Sequence, residues 1–176
     1  MELLKNPLVT SLLGAVLGFF AKTLIDYLKQ VRLSQEAARL TFLKEQLSEF
    51  YWPLYARLLR DGAVWGLRKK NEDLDDETRQ QIQKQIEEKI ILPNHQAMTD
   101  IISKKLHLGN YIKVPELYEQ YLRHVAAFQA LRAAGQTIPP SEIGAPWPKG
   151  FTEEVEKHVR ELTKEYSEFL KITINT

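Results

Sequence analysis

The apolar positions of this chain repeat every three or four residues almost throughout, the spacing of one face of an α-helix. Leu24, Leu28, Val31, Gln35, Ala38 and Phe42 step by four, three, four, three and four residues. They form a heptad seam with one polar member, Gln35. A second stripe, Leu40, Leu43, Leu47, Phe50 and Leu54, starts before the first ends. No proline falls within residues 8–52, so one long helix is predicted from about Pro7 to about Phe50. The first stripe suggests a partner helix and the second the chain's own domain, although both can face one core.

Pro53 predicts a break or kink at Trp52, and Leu54–Leu67 reads as a further helix. Residues 69–77 are a polar connection. Asp75 or Asp76 then caps a helix bearing Ile82, Ile86 and Ile90, which Pro93 ends. A short helix follows through Met98, Ile102 and Leu106, started or capped by Asn94. His107–Lys113 is a turn. The next helix opens near Pro115, carries Leu117, Tyr121, His124, Phe128 and Leu131 on one face, and stops before Gly135. Residues 136–150 hold four prolines and read as an ordered loop in which Trp147 docks. Thr152 is read as the cap of the last helix, whose stripe runs Val155, Val159, Leu162, Tyr166 and Phe169. No run alternates as a strand does. The predicted class is all-α: a long N-terminal helix followed by a four- to five-helix bundle.

The N-terminal stretch changes this picture. Asn6–Ala21 carries no formal charge, a length of about 24 Å against a bilayer core of about 30 Å. Extension through Leu28 reaches that thickness, with Lys22 able to snorkel and Asp26 placed to pair with it. The expectation is a transmembrane or anchor helix over 1–30 and a cytoplasmic helical domain over 31–176. A buried core helix is the competing reading. Lys22, Lys29, Arg32 and Arg39 outnumber Lys5 across the span, which orients the domain inward and gives a single-pass protein of the inner membrane. Gly14 and Gly18 form a small-xxx-small pair, and Leu13, Leu17, Leu24, Leu28, Val31 and Gln35 extend the membrane and oligomer surface.

Cysteine is absent, which excludes disulfides and thiolate chemistry. The net charge of +1 selects neither nucleic acid nor an anionic surface. Basic residues outnumber acidic ones seven to four over 33–70 and six to three over 101–150, whereas 71–100 has three basic and eight acidic. Such alternation can pair neighbouring helices or subunits, or simply mark solvated faces.

Of the four histidines, none sits at metal-ligand spacing. No catalytic, cofactor-binding or metal residue is assigned. Asn94, His95, Arg123, His124, Arg132 and Trp147 are polar or aromatic residues at a helix start, on an apolar face and in the Pro-rich loop. They are predicted to converge as a polar pocket or as a lock on that loop. His95, at the predicted helix start, would feel the positive end of the dipole.

The segments FYWPLYARL (50–58), LPNH (92–95), YLRHVAAFQALRAAG (121–135) and APWP (145–148) resemble those of a group of small bacterial membrane-anchored helical proteins. In overall plan the chain is also similar to the pore-forming membrane accessory proteins of RNA-targeting (type VI) CRISPR systems. That resemblance implies a membrane, homo-oligomeric, pore-like assembly in antiviral defence, with a protein partner. The alternatives are a membrane-tethered binding or scaffold module without pore activity, and a HEPN-like nucleic-acid enzyme. The last lacks the family's Arg-x4–6-His motif, which makes nucleic acid a disfavoured partner.

Overall fold

The computed structural model describes residues 7–68, 75–109, 111 and 113–174, and within them the side chains of Ser11, 16–66, 75–109, 111 and 113–171. The side chains at Leu13 and Gly14, Lys5, and the polar connection from Lys69 to Leu74 lie outside the described residues. The described residues are mostly helical, with no strand among them. Helices α1 (Pro7–Glu45), α2 (Trp52–Arg68), α3 (Asp76–Ile86), α4 (Leu92–Lys105), α5 (Glu116–Ala133) and α6 (Phe151–Ile174) follow in order. Two compact units result, one ending at Thr41 and the second beginning at Phe42.

In the first unit, Leu17, Phe19, Phe20, Leu24, Tyr27 and Leu28 are all more than half exposed. The membrane placement does not survive: among the described residues no helix is long and apolar enough to cross a membrane. The cause lies in the charge spacing. The uncharged run falls short of the hydrocarbon thickness, and lengthening it through Leu28 takes in Lys22 and Asp26. The transmembrane role of residues 1–30, and with it the single-pass inner-membrane placement, is therefore corrected.

The second unit holds the core. Phe50, Tyr51, Leu54 and Leu58 meet Met98 and Ile102 of α4, Tyr118, Tyr121 and Val125 of α5, and Phe151, Val155 and Val159 of α6. The two N-terminal stripes thus part company. Leu43, Leu47, Phe50 and Leu54 are buried, while Leu24 and Leu28 are not.

The two prolines do not end helices. A π turn, Gln46–Tyr51, precedes Pro53, and a second, Glu87–Ile91, precedes Pro93. The amides of Trp52 and Leu92 donate five residues back, to Leu47 and Glu87. The widened turn accommodates a ring and a missing N–H that a regular α-turn would not. Helical backbone therefore runs on through both prolines. Each is followed within two turns by polar residues of the site described below.

Asp75 caps α3, accepting from the Thr78 amide at 2.9 Å. Gly135, at φ +71°, ends α5 in the left-handed conformation. The last helix starts one residue before the predicted cap, at Phe151. Gly150 (φ +86°) turns the chain, and its carbonyl takes the Glu154 amide. Thr152 is thereby freed from capping.

Gly62 lies inside α2, and a Cβ there would meet nothing within 4 Å. Gly62→Ala is expected to raise stability by about 0.5–1 kcal/mol through helix propensity, measured by urea unfolding. A loss of stability would show that the open space beside Gly62 is needed.

Candidate functional site

Four sequence-predicted residues, His95, His124, Arg132 and Trp147, line one cavity of about 650 Å³ in the second unit. Its walls are Leu58, Asp61, Gly62 and Trp65 of α2, His95 of α4, and His124, Phe128 and Arg132 of α5. The Pro-rich loop closes it with Thr137, Pro139, Pro140, Ser141 and Trp147. Asp61, His95 and His124 are buried, while Trp65, Thr137, Pro139 and Ser141 are exposed. The cavity thus has a polar, water-shielded floor and an open, largely apolar rim. Its volume falls in the range of small-molecule sites.

The floor is built where the two proline-bearing helices meet. Asn94 of α4 is 1% exposed. Its side-chain amide donates to the Arg57 carbonyl at 3.0 Å and to Asp61 Oδ1 at 2.7 Å. Its Oδ1 accepts from Arg57 Nη1 at 3.1 Å. Asn94 therefore does not line the cavity. It stands behind Asp61 and fixes that carboxylate. The other oxygen, Asp61 Oδ2, lies 3.4 Å from His95 Nε2, longer than a good hydrogen bond. Asp61 Oδ2 and both ring nitrogens of His95 have no hydrogen-bond partner among the described residues, although both side chains are nearly inaccessible. His95 is not at a helix start, because α3, the π turn and α4 are continuous. The dipole argument does not apply to it.

Aromatic rings surround this pair. Trp147 sits 6.0 Å from the His95 ring and 5.3 Å from the His124 ring, centroid to centroid, and Phe128 is 5.5 Å from His95. His124 Nδ1 is 2.9 Å from the Ala145 carbonyl. A carbonyl only accepts, so Nδ1 carries the proton and Nε2 is left as an acceptor. Burial depresses the His124 pKa below its ordinary value, assisted by the nearby His95, and the bond to Ala145 opposes the shift. The native state therefore favours neutral His124. Its contribution to stability is full above the unfolded-state value of about 6.5 and is lost as pH falls through the lower folded value. His124→Asn is expected to flatten the melting temperature between pH 7 and pH 5. An unchanged slope would exclude His124 as its source.

Arg132 acts as a lock. Its Nε and Nη2 bind the two oxygens of Glu87, Nη2 at 3.3 Å. Its Nη1 donates to the carbonyls of Gln136 (2.7 Å) and Ile138 (3.1 Å), and the guanidinium lies 4.5 Å over the Phe128 ring. Together Arg132 and His124 tie both ends of the Pro-rich loop to α5. Arg123 is not part of the cavity. Neighbouring helical residues diverge by about 100°, so with His124 inward Arg123 is exposed, beside Lys113, Glu116 and Glu119.

Asp61 and Trp65 were missed by the sequence reading, yet a signal existed. Leu54, Leu58, Asp61 and Trp65 follow one helical stripe, and a carboxylate among apolar stripe residues demands a partner. A second polar cluster joins the hydroxyls of Tyr51 and Tyr111 at 2.9 Å, and of Tyr111 and Tyr118 at 3.1 Å. Burial pushes all three phenols well above their usual range, so they remain neutral and pin residue 111 to the core.

Chemically, the floor can accept protons or hydrogen bonds. Among the described residues, neither His95 nitrogen hydrogen-bonds a hydroxyl, so His95 activates no nucleophile in this arrangement. Among the described residues, no three His, Asp or Glu side chains are grouped to hold a metal ion. No family model, curated protein or solved structure matches this chain.

Proposed function

We propose that the 42–176 unit is a binding module for a small organic molecule. One observation carries the reading: a buried carboxylate oxygen and two buried imidazole nitrogens lack protein partners on the floor of an aromatic-walled cavity. Leaving such groups unpaired costs about 1–3 kcal/mol each, a cost that a ligand supplying complementary groups removes. Ligand capture would stabilise the unit and hold the Pro-rich loop, to which Trp147 belongs. Thermal-shift screening of the full chain against a library of small planar fragments tests this. Several fragments should raise the melting temperature of the native chain and leave Trp147→Ala unaffected. Hits that act equally on both proteins, or none, would contradict the reading.

A second reading concerns α1. Its seam residues Leu17, Leu24 and Leu28 are exposed at heptad spacing, and Gln35 is the kind of polar seam residue that fixes register. We propose that two or more copies associate along this seam. Light scattering on the full chain should give an oligomer that Leu24→Glu/Leu28→Glu converts to a monomer. A monomeric native chain would contradict it.

A further inference from the structure

The cavity's hydrogen-bonding inventory narrows its ligand class, an inference that rests on the binding-module reading above. Asp61 is an acceptor, with Oδ1 occupied by Asn94 and Oδ2 open. With a proton on His95 Nε2, which lies 3.4 Å from Asp61 Oδ2, the ring presents Nδ1 as an acceptor. His124 spends its one proton on the Ala145 carbonyl, so its Nε2 is a third. The floor thus presents three acceptors beside one unpaired donor, the buried Tyr121 hydroxyl, while the hydroxyls of Ser141 and Thr152 lie in the cavity wall.

Arg132 is the cation at the cavity, and its guanidinium is already bound by Glu87 and two backbone carbonyls. A phosphate or carboxylate would face the Asp61 charge with no cation released to meet it, which disfavours anions. A purely apolar ligand would leave the floor unpaired. Trp147 and Phe128 offer flat faces on either side of the polar groups. We infer that the cavity takes a planar heteroaromatic molecule, neutral or cationic, that directs adjacent N–H donors at Asp61 and the two imidazoles.

Three bicyclic probes of similar shape separate the possibilities by calorimetry on the full chain. 2-Aminobenzimidazole carries adjacent N–H donors, benzothiazole carries none, and indole-2-carboxylate is an anion. The donor-bearing probe should bind about tenfold or more tightly than benzothiazole, with the carboxylate weakest. Asp61→Asn, close in shape, should erase the advantage of the donor-bearing probe over benzothiazole. Equal affinity of the first two probes, or preference for the carboxylate, would overturn the ligand class and leave the binding module standing. Binding by none of the three would overturn both. The comparison among probes uses the native protein, so it decides the matter even if Asp61→Asn folds poorly.

Discussion

Asn94→Leu is expected to destabilise the chain by about 3 kcal/mol, although the two side chains are close in volume. The loss is not one of packing. Asn94 gives Asp61 its hydrogen bond at 2.7 Å, and Asp61 is 2% exposed. Without that donor the carboxylate is buried beside a histidine 3.4 Å away and little else. Arg57 loses its tie to α4 in the same step. The double variant Asp61→Leu/Asn94→Leu should recover much of the loss, because removing both partners costs less than stranding one. Urea unfolding of the two single variants and the double variant gives the coupling. Additive losses would mean that Asn94 acts by packing alone.

Trp147→Ala is expected to have the next largest effect, about 2–3 kcal/mol, less than a fully buried tryptophan because its side chain is only partly covered. Its ring touches those of His95, Tyr121, His124 and Phe151, from three helices. Removing it should also release the Pro-rich loop, seen as faster amide exchange over 137–147. The Arg132 and His124 ties hold the ends of that loop but not its middle. Unchanged exchange would show that those two ties suffice.

How far the sequence foretold this arrangement depends on the kind of signal. Helical periodicity located the elements, because a repeat of three or four apolar positions has few other causes. It left open whether both N-terminal stripes face one core; the structure buries Leu43, Leu47 and Phe50 and exposes Leu24 and Leu28. Local rules failed at Pro93, which was expected to end its helix, and at Pro53 so far as they allowed a break there. Each proline lacks a donor, but a π turn just ahead absorbs the defect, and such a turn has no simple residue signature. The misplacement of His95 at a helix start followed directly. At the site, a histidine on the apolar face of α5 and a tryptophan between prolines were visible as anomalies, and both line the cavity. Arg123 was grouped with them by adjacency in sequence, which on a helix means divergence in space. Asp61 was overlooked because its partners, Asn94 and His95, lie more than thirty residues away. The stripe through Leu54, Leu58 and Trp65 marks Asp61 as needing a partner but does not say which distant residue supplies it. The membrane assignment counted on Lys22 snorkelling and on Asp26 pairing with it to extend a short apolar run, and among the described residues no helix is long and apolar enough to cross a membrane.

The π turns give the site a physical origin. Each places a proline at the entry of the helix that follows, and Arg57, Asp61, Asn94 and His95 come within the next two to three turns. Two helices carrying the same irregularity meet at those residues, and the polar network joins them. The floor is therefore supported by rigid elements rather than by a loop, as a preorganised site requires. The loop supplies only the closing wall.

The most direct measurement is the imidazole nitrogen spectrum of the full chain, labelled at histidine, as 2-aminobenzimidazole is titrated in. The resonances of His95 and His124 should shift together and saturate with the binding isotherm, while the exposed His107 stays still. Binding that left His95 and His124 unmoved would place the ligand elsewhere and contradict the assignment of this cavity.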